Sequence, residues 1–383
     1  MRVGMGKRLA IPVLAALLAA APCGGGLGAQ AGTGQTGQAL VVRIGNAFTG
    51  GRGRPFAIGT LGVADQRGLL EKELAKDGIK VEWDYFKGIS AAVNEAFAND
   101  SIDFAATSDL GAIIGRGSGL KFKLIAAGTQ PRVGGAYIAV PIDSDIKTVK
   151  DLKGKRVATA NASNFQLELE RVLQLNGLSR DDIQYYNMGP AEGVAALGAK
   201  GIDAALYGGA GQLFVAVKLG LAKIIYSIQD DKAYPDKWKP VSGLFVSEKF
   251  AKAHPDVVLR VLKVYLETAK WGSEPKNRQQ WFEYSSKTGV ALDEIIRAQE
   301  KVPLRRSISP LMDELYLGHI KDTIEFAAQR DLIRKAFSLD EFVDRSFLDQ
   351  ALKELKLAHY WDSYNAEGDE KIAPTTGLKR SGS

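Results

Sequence analysis

Ser163, Asn164 and Gln166 are the residues of this chain whose types and spacing best suit ligand chemistry. They close the stretch 148–166, in which a charged turn, Asp151-Leu152-Lys153-Gly154-Lys155, feeds a short strand at 156–159 and then a polar loop. Ser163 is spaced to cap a helix, and Gln166, three residues on, to reach back to the cap's own amide. Phe165, Leu169, Val172 and Leu173 then recur at helical spacing until Asn176-Gly177 stops the helix. A strand ending at a helix start leaves free N–H groups and the positive end of the helix dipole facing a crevice, which suits an anion. The same pattern also fits an ordinary strand-loop-helix unit.

The elements that must position this turn alternate along the chain. A strand at 41–44 ends in Gly45-Asn46-Ala47-Phe48-Thr49 and the loop Gly50-Gly51-Arg52-Gly53-Arg54-Pro55. A helix at 66–77, a strand at 79–86, a helix at 90–98 and a strand at 102–107 follow, the last ending at Ser108-Asp109. Strands at 124–127 and 136–140 precede a second unit of the same kind, with strands at 156–159, 184–186 and 202–207 and helices from 164 and at 191–199. Its last strand runs into Gly208-Gly209-Ala210-Gly211, which fits a tight connection as well as a ligand turn. This alternation predicts an α/β fold with parallel or mostly parallel sheets, whose ligands bind at the carboxyl ends of the strands, where Phe48, Thr49, Ser108 and Asp109 fall. Strands at 224–227 and 243–246 lead to helices at 257–271, 292–300, 310–330 and 339–355 and a polar, loose tail.

A length of 383 residues suggests two domains. Residues 1–31 belong to neither: Arg2, Lys7 and Arg8 precede an apolar run from Leu9 to Ala21 and the small-residue site Ala29-Gln30-Ala31, the pattern of a secretory signal peptide. The sole cysteine, Cys23, lies inside it, and a lipid anchor there is disfavoured by Pro22 before it and Ala20. Removing the three cations lowers the net charge from +6 to +3, and no basic tract interleaved with aromatics points to nucleic acid. The mature protein is expected to be soluble, exported and free of disulfides.

Four segments carry a family resemblance. Ser101-Ile102-Asp103-Phe104-Ala105-Ala106-Thr107-Ser108-Asp109 resembles "DFG" followed by "TGD"; residues 146–158 resemble "IKTVADLKGKKVA"; Ala162-Ser163 stands at a "GS" helix opening; and Pro190-Ala191-Glu192 with Gly201-Ile202-Asp203-Ala204 resembles "PAD" and "GNVDAW". In order and spacing the chain resembles the periplasmic solute-binding proteins of ABC importers, in the aliphatic sulfonate, taurine and nitrate branch. The resemblance implies a two-lobe, type II periplasmic binding protein fold with the ligand in the interlobe cleft. Lobe 1 is expected at 40–138 and 244–362, lobe 2 at 139–243, with 32–39 a linker and 363–383 a polar tail. It implies a small anionic ligand, most readily an aliphatic sulfonate or taurine-like compound, with nitrate, an aromatic sulfonate or a carboxylate as alternatives. It also implies a membrane permease and an ATPase subunit as partners, a monomer, a periplasmic location, and neither cofactor nor metal.

Carried over position by position, the resemblance places Asn46, Phe48, Thr49, Ser108, Asp109, Ala162, Ser163, Asn164, Phe165, Tyr207 and Gly208 around the ligand. Ser108 replaces a glycine, and its hydroxyl either donates to the anion or caps a helix. Asp109 binds an amine end of the ligand or serves only the helix dipole. Ser163, Asn164 and Phe165 offer hydroxyl and backbone N–H groups. Three departures stand out. The family's "DAWAIWDPY" is Asp203-Ala204-Ala205-Leu206-Tyr207-Gly208-Gly209-Ala210-Gly211, which leaves a wider cleft or one refilled by Tyr207 and Phe48. The loop after the first strand is about seven residues longer and brings Arg52 and Arg54, either toward the anion or into solvent. Asn46-Ala47 replaces a Tyr-Gln pair. An enzyme is the rival class, since relatives of this fold cleave sulfinates or build a pyrimidine with cysteine or histidine clusters. Here His254, His319 and His359 all fall in the helical C-terminal part, expected away from the cleft turns.

Overall fold

The structure, a computed structural model, describes residues 39–48, 59–87, 90–131, 135–208, 212–287, 292–299 and 303–373. The signal segment, most of the linker, Thr49 and the Gly/Arg loop lie outside the described residues. The chain first lays down β1 (Val41–Phe48), β2 (Lys80–Lys87), β3 (Phe104–Ser108) and β4 (Phe122–Thr129). It then forms β5 (Ala136–Pro141), β6 (Arg156–Thr159), β7 (Gln184–Asn187), β8 (Ala204–Gly208) and β9 (Ala222–Ser227), and returns as β10 (Ser242–Ser247). Two five-stranded sheets result, ordered β2-β1-β3-β10-β4 and β7-β6-β8-β5-β9, the centres of two lobes.

Both sheets are mixed. β1 is parallel to β2 and β3, and β6 to β7 and β8, but β10 and β5 run antiparallel to both of their neighbours. These are the strands that arrive from the other lobe. A chain crossing between lobes enters a sheet at the edge where its parallel strands end, and so runs against them. The expected boundaries at 138/139 and 243/244 cut through β5 and β10; residues 136–138 pair in the second sheet and 242–243 in the first.

In the first lobe the helices are α1 (Gly59–Gln66), α2 (Leu69–Leu74), α3 (Ser90–Ala98) and α4 (Asp109–Gly117). In the second they are α5 (Asn164–Leu175), α6 (Pro190–Gly198) and α7 (Gln212–Lys218). The helix expected at 66–77 begins earlier and breaks at Gly68, whose φ of +60° no ordinary residue adopts cheaply. After β10 come α8 (Glu248–Ala253), α9 (Pro255–Ser273), α10 (Arg278–Ser286), α11 (Leu292–Gln299), α12 (Leu304–Ser307), α13 (Glu314–Gln329), α14 (Leu339–Phe342) and α15 (Ser346–Glu354). Val258, Leu262, Leu266, Tyr316, Ile320 and Leu348 from these helices share one core with Val42, Ile44 and Phe104 of the first sheet. The helix expected at 339–355 is interrupted at extended Val343, and Asp344 accepts from Ser346 N at 2.9 Å to start α15. The tail expected to be loose forms a two-stranded piece, β11 (Ser363–Tyr364) and β12 (Lys371–Ile372), tied down where Tyr364 N donates to Asp313 at 2.9 Å.

The lobes repeat one clamp. Asp103 Oδ2 accepts the backbone N–H and Nε of Arg43 at 2.9 and 3.1 Å, and its Oδ1 takes Nη2 at 2.6 Å. Asp203 does the same for Arg156 at 2.8, 3.2 and 2.7 Å. Asp100 (φ 52°) and Lys200 (φ 59°), each three residues earlier, take the same left-handed turn. Arg43, near the start of β1, and Arg156, the first residue of β6, lie toward the sheet ends opposite the cleft, so each clamp ties two neighbouring parallel strands, β1 with β3 and β6 with β8, through a charge-assisted bidentate pair. Asp103 is the more enclosed, its side chain 6% exposed against 29% for Asp203. Asp103→Ala, which removes charged hydrogen bonds from a half-exposed arginine, should cost about 2 kcal/mol, and Asp203→Ala less. Urea-denaturation midpoints of the two variants will show this order; equal losses would mean that enclosure does not set the strength.

Candidate functional site

The parallel strands of both sheets point their carboxyl ends at one cleft, the place where such folds present ligands. On the first lobe that edge carries hydroxyls. Thr107 Oγ1 donates to Ser90 Oγ at 2.7 Å, Ser90 and Ser108 Oγ share a hydrogen bond of 2.9 Å, and Thr129 and Ser242 Oγ one of 3.1 Å. Ser108 stands at the N-cap of α4 but makes no side-chain cap bond, so of its two expected roles the cap is not the one adopted. Gly111 makes room for the cluster: a Cβ there would sit 2.0 Å from that of Ser90. Asn46, 2% exposed, ends its side chain here in a buried amide nitrogen without a protein partner. Phe48 is the last residue of β1. Ser90, Thr107, Thr129 and Ser242 were not singled out in the sequence; only Thr107, next to Ser108, had a local signal.

On the second lobe the start of α5 is built differently from the expected capping box. Ala162 sits at φ 51°, which turns its own amide toward the helix, and that amide, rather than that of Ser163, donates to Gln166 Oε1 at 2.9 Å. The Ser163 hydroxyl donates to Ala160 O at 2.6 Å and makes no cap bond. Ser163 is 3% exposed, and with its proton spent inside the loop it shapes the turn rather than donating to a ligand. Asn164 Nδ2 donates to Val241 O at 3.2 Å, leaving a buried Oδ1 without a protein partner. The Phe165 ring lies against Gly208, where a Cβ would come within 3.2 Å of it.

Tyr207 does not refill the cleft. It is 1% exposed, its hydroxyl donates to Met188 O at 3.0 Å, and a Cβ on Gly193 of α6 would lie 1.9 Å from that hydroxyl. The ring is core of the second lobe, edge-on to Phe165 with centroids 6.0 Å apart, and burial pushes its phenol pKa upward.

Behind the cleft, α5 grips both chain crossings. Glu168 Oε1 accepts Ala136 N at 2.9 Å, and Arg171 donates to Trp238 O at 2.8 Å and to Asp322 of α13 at 2.9 Å. Glu170 pairs with Arg330 at 2.8 Å. Glu168 is fully enclosed, and desolvation pushes its carboxyl up to about 8, against the pull of the Ala136 N–H and Arg171. Asp109 faces neither ligand nor solvent: it is fully buried, with Oδ2 2.7 Å from His319 Nε2. His319 therefore does not lie away from the cleft turns; α13 folds back across the first lobe and brings it to the start of α4. Cavities of about 520 and 250 Å³ among the C-terminal helices include none of these edge residues. Among the described residues no group of His, Cys, Asp and Glu is arranged to hold a metal, and no helix is long and apolar enough to cross a membrane.

The sequence pattern of the family described as NMT1/THI5 like matches residues 59–276. A Bacillus subtilis protein provisionally named as aliphatic sulfonates-binding is 27% identical over 331 residues, 86% of this chain and 93% of its own. A solved structure from Methylobacillus flagellatus, provisionally described as the periplasmic sulfonate-binding protein SsuA of a sulfonate ABC transporter, superposes with a TM-score of 0.75. It is 29% identical, over 85% of this chain and 98% of its own. The desulfurization enzyme DszB shares the fold, with a TM-score of 0.62 at 14% identity over 82% of this chain and 99% of its own.

Glu168 gives this region a testable pH dependence. Its carboxyl holds a proton in the folded protein until about pH 8, whereas the unfolded chain releases it near 4.5. Stability therefore falls as pH rises between those values and levels off above them. Glu168→Gln, which keeps the bond to Ala136, should remove that decline and be the more stable form at pH 9. Unfolding free energies measured between pH 4 and 9 that run parallel for the two proteins would show that Glu168 is ionised in the fold.

Proposed function

The chain belongs to the NMT1/THI5-like family, and from that premise we propose that it is the solute-binding component of an ABC importer. Its ligand is a small organic anion, an aliphatic sulfonate in first place, held between the lobes and presented by their closure to a membrane permease served by an ATPase subunit. The observation that carries this reading is the pairing of two edges. A hydroxyl cluster on one lobe is paired with the α5 start on the other, and the starts of α4 and α5 meet at the carbonyl of Val241, which accepts from Asp109 N and Asn164 Nδ2. Neutral hydroxyl donors, the unpartnered Asn46 amide and the α5 dipole can bind an anion without a formal cation, which spares the open form an unpaired buried charge. The names of the two binding-protein relatives support the ligand class, and the periplasmic description of the Methylobacillus flagellatus protein supports export to the periplasm.

Closure is a two-state change in which the ligand favours the closed form by touching both lobes. In this reading the crossings are the segment that leads into β5 and, at residues 228–241, the one that leads into β10. The protein acts as a monomer, and the role is binding rather than catalysis: neither cofactor nor covalent step is needed for it.

Calorimetric titration of the protein from residue 32 onward with alkanesulfonates, taurine, aromatic sulfonates, nitrate and carboxylates tests the proposal. Alkanesulfonates should give the strongest binding. Ser108→Ala should weaken it by about 1 kcal/mol, roughly fivefold, whereas Ser163→Ala should lower stability with little change in affinity. Heat from a sugar or a cation, with none from any anion, overturns the reading.

A further inference from the structure

Asp109 and His319 form a buried pair that ligand contact does not require. Asp109 opens α4 on the first lobe, and its N–H reaches Val241 O at 3.4 Å, the same carbonyl that Asn164 of the second lobe uses. His319 sits within α13, and its Nδ1 lies 2.7 Å from the carbonyl oxygen of Lys237, on the chain segment returning between the lobes. A carbonyl oxygen only accepts, so Nδ1 carries a hydrogen. With a neutral ring, Nε2 would then turn a lone pair toward Asp109 Oδ2 at 2.7 Å, and a carboxylate would answer with another. One more proton must lie between them, on nitrogen as an imidazolium beside a carboxylate or on oxygen as a carboxylic acid beside an imidazole. Either way the pair has no net charge, as its complete burial demands.

The surroundings supply no substitute. Thr323 Oγ1, 3.2 Å from Nε2, donates its hydrogen to His319 O at 3.0 Å. The ionisable groups that act on the pair are Glu168 on α5, itself beside Arg171, and Tyr316 on α13. Lys239 of the returning segment is paired with Asp236 at 3.2 Å, and α3 meets α4 through uncharged Ser90 and Asn94.

We propose that His319 is a positioning residue of the cleft, holding a proton in common with Asp109 that fixes the start of α4, and the hydroxyl edge beside it, to the segment joining the lobes. The link to ligand binding rests on the transport reading; the shared proton does not, and the test separates the two.

Full-length protein labelled with ¹⁵N at histidine is observed without ligand. His319 should show a protonated Nδ1 and a far-downfield proton shared between Nε2 and Asp109. In Asp109→Asn the side-chain amide can donate to a bare Nε2, so the ring stays neutral, the bond to Lys237 survives and the downfield proton disappears. A His319 ring with bare Nδ1, or a wild type without the downfield proton, overturns the proposal. With ethanesulfonate as probe, Asp109→Ala should weaken binding about tenfold, the weight of one or two hydrogen bonds, and Asp109→Asn should recover most of it; equal affinity in all three overturns the positioning role. Should ethanesulfonate not bind the wild type, the transport reading loses its ligand, while the nuclear resonance measurement still decides the proton.

Discussion

The polar stripe on α5 is the constraint on which the rest of the molecule turns. Asn164, Glu168 and Arg171 lie at intervals of four and three residues, on one face of one helix. They hold the Val241 and Trp238 carbonyls of the segment returning between the lobes and the Ala136 amide where β5 opens. Backbone groups of a crossing segment have no sheet partner, so something must satisfy them, and a buried polar group left unmade costs more than a made one returns. The helix that opens toward the cleft thus also sets how the two lobes meet.

Much of the fold was legible because its signals are local. The α5 start at Asn164, the strand at 156–159 and the turn at Ser108-Asp109 all fall where periodicity and punctuation place them. What was not legible depends on distance along the chain. Ser163 and Gln166 have the spacing of a capping box, yet the left-handed turn at Ala162 diverts the glutamine to a different amide. His319 lies 210 residues from Asp109, and no pattern around either names the other. Antiparallel entry of β5 and β10 is likewise invisible locally, since a buried strand reads the same in both directions.

Tyr207 shows the limit for the site itself. Its strand, β8, is buried on both faces, Ala204 and Leu206 toward one core and Ala205 and Tyr207 toward the other. Alternation then gives no inside and outside, and a tyrosine next to a ligand turn can be placed in the cleft or behind it with equal ease. Gly193, by leaving room for the hydroxyl, decides the matter from another helix. Ser90 escaped for a similar reason: as the opening residue of a helix it looks like ordinary punctuation until α4 brings Gly111 against it.

The Arg43–Asp103 and Arg156–Asp203 clamps lie at the ends of the sheets remote from the cleft. Each ties two neighbouring parallel strands, β1 with β3 or β6 with β8, without reference to the other lobe. Each sheet is therefore braced on its own, independently of the segments that run between them. A ligand meets two hard jaws on a short joint. Its binding energy goes into their angle and not into ordering the surfaces that grip it, so selectivity is decided by how well a solute spans a gap of fixed walls.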